Sequence, residues 1–132
     1  MKCISVRQPW AWAIVHAGKD IENRTWATSY RGPILIHAGK AKPSREDCEF
    51  ARRFLKARGI ALPDIDSQEY GKVIGVGELI GCGEVNRPRS RWWQGPVGWR
   101  LENVRAVNSF AVKGQLGLFE VDVSKTKAGI LS

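Results

Sequence analysis

A chain of 132 residues can bury one hydrophobic core but is too short for two ordinary domains. Its 43% hydrophobic and 26% charged residues are typical of a globular protein, and no apolar run approaches the length of a transmembrane helix. The formal net charge of +8 favours polyanionic partners such as nucleic acid, although a generally basic surface without a specific partner would carry the same charge.

The start of the chain and its cysteines bear on the cell compartment. Charge returns within Met1–Arg7 before the apolar core of a secretory signal could form, so the sequence predicts a cytoplasmic protein without a membrane segment. Cys3, Cys48 and Cys82 are far apart and form no CxxC pair. We therefore expect reduced thiols, no disulfide framework, no metal site and no cofactor.

The first third of the chain predicts three strands and a helix. Cys3–Arg7 alternates as a strand does, and the apolar spacing that follows Pro9 predicts a helix that ends at Gly18. Ile21–Trp26 is predicted to be the second strand. The continuous apolar run of Ile34–Ala38 predicts a third strand that is buried on both faces.

The clearest helix follows at residue 44. Ser44 with Asp47 three residues later resembles a capping box, and Gly59 is the expected stop. Val73–Ile80 then predicts a strand whose glycines allow a bend or a close approach, which suits a small and highly curved barrel. If Glu78 of this strand is buried, it either pairs with a base or has a raised pKa; in the alternative, it simply faces outward.

The last third of the chain predicts two more strands. Val97–Val104 alternates, residues 108–113 are expected to form a connection, and the second half of Gly114–Val123 alternates as a closing strand. We expect an α+β fold that is mainly β. A single domain should span residues 1–123, with residues 124–132 as a frayed tail.

The segment around residues 16–26 carries the strongest functional signal. Side chains alternate along a strand, so Glu22, Arg24 and Trp26 should share one face, which Lys19 could also reach. Such a cluster is either the wall of a binding site or a set of salt bridges that holds the rim of the fold. His37 in the next strand is expected to be structural more readily than catalytic.

A second signal is the irregular loop of residues 86–96, in which arginines and tryptophans are interleaved. Arginines neutralise phosphates and indoles stack on unpaired bases, so the loop favours single-stranded nucleic acid. In the alternative, its tryptophans cover one end of the barrel and its arginines are solvated. The predicted nucleic-acid-binding residues are Lys19, Arg24, Arg31, Arg87, Arg89, Arg91, Trp92 and Trp93.

Several stretches together resemble the ASCH domain family, namely Ile4–Ala11, Gly18–Arg24 and Tyr30–Ala38. Gly98–Val104 and Lys113–Gln115 are similar to the late strands of that family. The resemblance implies a PUA-like small β-barrel with two to three helices packed around it. It also implies an RNA-binding cleft beside a signature of glycine, lysine, glutamate and arginine.

In this chain Lys19, Glu22 and Arg24 occupy the charged positions of that signature, whereas Gly18 directly precedes Lys19 where the family has one residue between them. Some small members of that family are amidohydrolases of acylated cytidine, which use a lysine, a threonine at the position of Glu22 and a further glutamate. Other members are described as ribonucleases. The resemblance therefore implies RNA or modified-nucleoside binding, with a hydrolase as the alternative and the three charged residues as its candidate catalytic groups.

Overall fold

The computed structural model describes residues 1–124 of the chain. These residues form one mixed six-stranded sheet with two helices, an α+β arrangement that is mainly β. A single 3-10 turn at Ile65–Ser67 interrupts an otherwise irregular connection. The strands are β1 (Lys2–Val6), β2 (Ile21–Arg24), β3 (Gly32–Ala38), β4 (Lys72–Gly83), β5 (Val97–Ala111) and β6 (Phe119–Glu120), and the helices are α1 (Trp10–His16) and α2 (Arg45–Lys56).

The strands pair in the order β2-β5-β4-β3-β1-β6. β1 and β3 are parallel, and the other neighbours are antiparallel. Pairing between the long strands β4 and β5 shifts register three times, and such bulges bend a strand and increase its twist. Within residues 1–124 no strand pairing joins β2 to β6, so the sheet is not closed by pairing and the predicted barrel is not confirmed.

Most predicted elements are confirmed within a few residues of their expected ends. The capping box is confirmed, because the Ser44 hydroxyl accepts a hydrogen bond of 3.1 Å from the Asp47 amide. The predicted connection at residues 108–113 is wrong in its first part, since β5 continues to Ala111. That extension pairs Phe110 with Val73 of β4, a long-range partner that local periodicity does not reveal.

The core lies on both faces of the sheet. One face packs Ile4, Ile36 and Trp99 under α1, whereas the other face packs Leu35 and Phe119 with residues from the distal half of β5. β3 is therefore buried on both faces, as its continuous apolar sequence predicts. The sheet can cover its own second face because its long strands curl over it.

The structure shows the state of the three cysteines and the exposure of Glu78. All three cysteines are free, and burial of the Cys3 thiol raises its pKa to about 12. Such a thiol stays protonated and behaves as a small apolar group. Glu78 is exposed, which confirms the outward-facing alternative.

Close approach explains Gly75 of β4, where helix α1 packs on the sheet. A Cβ atom at Gly75 would lie 2.6 Å from a methyl carbon of Val15 and 3.1 Å from the Arg105 carbonyl oxygen. At Gly83, near the other end of β4, a Cβ atom would meet nothing within 4 Å.

Gly75→Ala should therefore lower the free energy of unfolding by about 1–3 kcal/mol, because the added methyl overpacks the contact between α1 and β4. Urea denaturation followed by circular dichroism measures the change. Gly83→Ala is the matched control on the same strand and should differ little from the wild type. Equal losses in the two variants would show that strand propensity, rather than packing against Val15, determines the cost.

Candidate functional site

The end of helix α1 directs Lys19 into the protein. Gly18 adopts a left-handed conformation with φ of 74°, and the Lys19 amide donates a hydrogen bond of 3.1 Å to the Ala13 carbonyl. The chain therefore turns back under α1 before β2 begins. The Lys19 ammonium donates to the Ile21 carbonyl and lies 3.5 Å from Oε1 of Glu22.

Lys19, Glu22 and Arg24 form a continuous row of alternating charges, which we term the charged row. Oε2 of Glu22 accepts a hydrogen bond of 3.2 Å from Nη2 of Arg24. The exposed fraction of the side chain rises from 5% at Lys19 to 11% at Glu22 and 18% at Arg24. The predicted common face of Glu22 and Arg24 is thus observed, and Lys19 lies behind it rather than on the surface.

Burial is the main electrostatic influence on Lys19. It lowers the pKa of the ammonium below the ordinary value of 10.5, and the carboxylate of Glu22 partly restores it. Removing a charged group from water is costly unless a partner of opposite charge is in contact. Glu22 therefore supports the charged state of Lys19 inside the fold.

Arg24 connects two strands that are not neighbours in the sheet. Its Nη2 also donates a hydrogen bond of 2.8 Å to the Ser5 carbonyl of β1, although β2 pairs only with β5 in the described residues. The guanidinium carbon lies 5.7 Å from the centre of the Trp99 ring. Nε of Arg24 is buried and has no hydrogen-bond partner within residues 1–124.

Two cavities meet at Arg24, and Ser5 and Arg7 line both of them. The small cavity has a volume of about 400 Å³ and contains Glu22 and Trp26 in its wall. The large cavity has a volume of about 990 Å³ and extends to the segments that follow β3 and β5. We call the combined depression the Arg24 cleft.

The large cavity is strongly basic. Arg7, Arg24, Lys40 and Lys113 line it, and no acidic residue of the described part of the chain does so. Arg7, Lys40 and Lys113 are exposed, so their charges face solvent. Because the cavity is concave, these positive charges reinforce one another inside it.

His37 lies at the floor of the large cavity with both ring nitrogens engaged. Nδ1 is 2.9 Å from Oγ of Ser5, and Nε2 is 2.7 Å from the carbonyl oxygen of Val112. A carbonyl only accepts, so Nε2 carries the proton and donates it to Val112. This arrangement favours the structural role of His37, which ties β3 to the segment after β5.

The two tryptophans of the basic loop pack against other residues of the protein. Trp92 is 3% exposed and packs with Ile21 and Leu55, while Trp93 is half-buried over Gly98. The Trp92 ring is already covered by other side chains, whereas its predicted stacking on a base would need an exposed face. This packing is compatible with the alternative interpretation of the loop, in which its tryptophans cover part of the fold.

Hydrogen bonds from Asn23 attach this loop to β2. Asn23 donates to the Trp92 carbonyl, and its Oδ1 accepts from the amides of Gln94 and Gly95. Because Asn23 alternates with Glu22 and Arg24 along β2, the loop is attached to the opposite side of that strand. The loop arginines Arg87, Arg89 and Arg91 are exposed, and none of them lines a cavity that contains Arg24.

Arg31 is also separate from the Arg24 cleft. Its guanidinium donates to the carbonyls of Thr28 and Tyr30, within its own connection. The side chain is therefore engaged locally, although the residue remains exposed.

Three basic residues of the cleft were not among the predicted site residues. Arg7, Lys40 and Lys113 each follow the end of a strand, respectively β1, β3 and β5. These strands run in the same direction, so their carboxyl ends lie at the same edge of the sheet. A basic residue after each of three such strands is a usable signal, but only once the strand order is known.

Membrane-spanning helices and metal-binding clusters are both absent from residues 1–124. None of the helices in this range is long and apolar enough to cross a bilayer. The range also contains no group of three or more His, Cys, Asp or Glu side chains arranged to hold a metal ion.

The chain is similar to a known protein family and to proteins from human and mouse. Residues 4–110 match the family model of the ASCH domain. The human protein named Activating signal cointegrator 1 is 34% identical over 83 residues, and the mouse protein of the same name is 31% identical over 83 residues. Each match covers 61% of this chain and 14% of the relative, so the chain spans only a small part of the length of these curated relatives.

Glu22→Ala should destabilise the protein by about 3–5 kcal/mol at neutral pH, because the variant leaves the buried Lys19 ammonium without its carboxylate partner. The folded-state pKa of Lys19 lies below the ordinary value, so the unfolded chain binds more protons between the two values. The free energy of unfolding therefore rises with pH in that interval. The loss caused by Glu22→Ala should shrink as the pH approaches 10.5. Urea denaturation at several pH values measures both effects.

Glu120→Ala is the control for the general effect of removing an ion pair. Glu120 contacts Lys2 and the amino terminus at the surface, where water screens the interaction, so its loss should cost much less. A cost for Glu22→Ala that is as small as that control, or that does not change with pH, would contradict a buried charge at Lys19.

Proposed function

The chain belongs to the ASCH domain family, and we propose that its Arg24 cleft binds RNA or another single-stranded nucleic acid through the phosphate backbone. The observation that carries this proposal is the large cavity, which is lined by Arg7, Arg24, Lys40 and Lys113 and by no acidic residue within residues 1–124. Cationic side chains in a groove release condensed counterions when they neutralise phosphates, and this release supplies much of the affinity for nucleic acid.

The shape of the cleft favours an unpaired strand over a duplex. The basic residues lie inside a depression between strand ends, and a flexible single strand can follow such a depression with its phosphates and bases turned separately. A modified nucleoside would fit the same chemistry as part of such a strand. We also propose that the curled sheet corresponds to the PUA-like barrel implied by the family resemblance, with the bond from Arg24 to Ser5 spanning its unpaired side.

The remaining predicted residues take different parts in this proposal. Arg24 contacts the ligand directly, and Lys19 supports it from behind through Glu22. Arg31, Arg87, Arg89 and Arg91 lie outside the cleft and add a general attraction for polyanions. Trp92 and Trp93 contribute by holding their loop in place rather than by contacting bases.

A hydrolase is the second candidate function, and the observation in its favour is the lowered pKa of Lys19. A partly neutral lysine could serve as a base in amide hydrolysis. However, Lys19 is buried behind Glu22, and it lines neither cavity of the Arg24 cleft. Binding requires only the exposed cations, so the geometry supports it better than catalysis.

The double variant Lys40→Ala/Lys113→Ala should lower the affinity for single-stranded RNA about tenfold or more at low salt. The slope of log K, where K is the association constant, against the logarithm of salt concentration should also become less negative. The change should be roughly 0.7 for each phosphate that the variant no longer neutralises. Fluorescence anisotropy of a labelled oligouridine, titrated at several salt concentrations, measures both quantities.

Arg87→Ala/Arg89→Ala is the matched control, because it removes the same charge from exposed positions outside the cleft. Its affinity should fall by a smaller factor than that of the cleft variant. Equal losses would mean that net charge alone attracts RNA, and a larger loss in the control would move the interface to the loop. Wild-type protein that does not bind RNA or single-stranded DNA would refute the proposed function altogether.

The two candidate functions also differ in turnover. Purified wild-type protein, incubated with RNA and separately with an acylated cytidine, should release no product above the protein-free background. Chromatography of the products, with Lys19→Ala as the comparison and a thermal melt of each protein as a folding check, measures this. Product that forms with the wild type and disappears with a folded Lys19→Ala variant would favour the hydrolase.

A further inference from the structure

We propose that the small cavity is a pocket for a single unpaired guanine of the bound strand. This inference rests on the nucleic-acid binding proposed above and adds a base preference to it. Trp10, Trp26 and the Glu22 carboxylate line this cavity, and Arg24 lines both this cavity and the large one.

Trp26 provides an exposed but fixed aromatic wall. It is 40% exposed, although its ring stands edge-on to Trp99 at a centroid distance of 4.9 Å. Its backbone carbonyl accepts a hydrogen bond of 3.0 Å from the indole nitrogen of Trp99. A large aromatic that is held in place yet open to solvent is ready to stack on a base without an ordering cost.

Trp10 lines the same cavity and is fixed in a similar way. Its ring stands edge-on to Phe54 at 5.4 Å and to Phe50 at 6.3 Å. The cavity therefore has two positioned indoles in its wall. Its volume of about 400 Å³ falls within the range of small-ligand pockets, roughly 300–1,000 Å³.

Glu22 supplies hydrogen-bond acceptors inside this aromatic pocket. Each carboxylate oxygen already contacts one cation, Oε1 with Lys19 and Oε2 with Arg24. An ionised carboxylate has about four lone-pair sites, so both oxygens can accept a further bond. The lone pairs that remain free on Oε1 and Oε2 thus form a pair of neighbouring hydrogen-bond acceptors.

Guanine matches that pair of acceptors better than the other common bases. Its Watson–Crick edge carries two adjacent donors, N1–H and the 2-amino group, beside the acceptor O6. Adenine and cytosine place one amino group beside an acceptor nitrogen, and uracil places one N–H between two carbonyls. Glu22 can receive both guanine donors while Arg24 lies beside it to donate to O6.

The charges around the cavity favour a neutral base over a cationic ligand. An aromatic pocket with a carboxylate could also hold a methylated ammonium group. Here Lys19 and Arg24 both contact Glu22, so the charged row has a positive excess that disfavours a cation. Arg7 lines both cavities, which places a positive charge where a phosphate would connect a base in the small cavity to the strand in the large one.

Pentanucleotides that share their phosphates isolate this base preference from the backbone attraction. We would measure the affinity of the full chain for UUGUU, UUIUU, UUAUU and UUCUU RNA by calorimetry at one salt concentration. Inosine lacks only the 2-amino group of guanine. UUGUU should bind about tenfold or more tightly than UUIUU, because inosine cannot make the second bond to the charged acceptor.

Two variants assign the preference to the pocket. Glu22→Gln replaces one acceptor with a donor and should abolish the difference between UUGUU and UUIUU. Trp26→Ala should weaken UUGUU about tenfold because the stacking surface is removed, whereas Ile80→Ala, which removes a similarly exposed apolar side chain from β4, should not. A thermal melt of each variant shows whether it is folded, and Trp26→Ala keeps the test valid if Glu22→Gln unfolds.

The outcomes separate this inference from the function on which it rests. Equal affinity of the wild type for all four RNAs would overturn the guanine pocket and leave backbone binding intact. A preference for cytosine or adenine, or a difference between UUGUU and UUIUU that survives in a folded Glu22→Gln variant, would also overturn it. So would a folded Trp26→Ala variant that binds UUGUU as tightly as the wild type does. Failure of the wild type to bind any of the four would count against the proposed function itself.

Discussion

The buried Lys19 ammonium is the constraint on which the geometry of the cleft depends. A charge in a protein interior must be paired and hydrogen-bonded, and here the Ile21 carbonyl and Glu22 satisfy it. Oε1 of Glu22 therefore faces Lys19 in the core, and Oε2 faces Arg24. Arg24 in turn reaches Ser5 of β1, so the charged row extends from the end of α1 across β2 to the far side of the sheet.

This connection explains how an open strand order produces a concave site. β2 is an edge strand, and three strands separate it from β1 in the order of pairing. Contact between Arg24 and Ser5 therefore requires the sheet to curl, which the bulges between β4 and β5 allow. Curling brings the carboxyl ends of β1, β3 and β5 around one depression, and the basic residues that follow these strands then face one another. The acidic partner of the charged row lies in the small cavity, so the large cavity stays uniformly basic.

Local patterns in the sequence were sufficient for most of the fold and for part of the site. The capping box at Ser44, the left-handed stop at Gly18 and the shared face of Glu22 and Arg24 each depend on residues within a few positions of one another. The extension of β5 and the cluster of basic residues at strand ends depend on partners far away in the chain. Periodicity contains no information about those partners, so such features could not be predicted from it.

The environments of the tryptophans also depend on partners far away in the chain. These environments determine which indole keeps a surface that a base could contact. Composition alone does not distinguish Trp92 from Trp26. In the structure Trp92 is buried beneath α2 with Leu55, whereas Trp26 lies just beyond β2 and is partly exposed to solvent. An indole can stack on a base only where the fold leaves its face free, so the proposed function assigns base stacking to Trp26 in the cleft rather than to the buried Trp92. Glu22 in a basic cleft weakens attraction for the phosphate backbone, since it neutralises nearby cations. Its presence there is explained if the same carboxylate both pairs with Lys19 in the core and accepts hydrogen bonds from the edge of a base. Phosphate contacts do not distinguish one base from another, so selectivity requires a group that contacts the base itself.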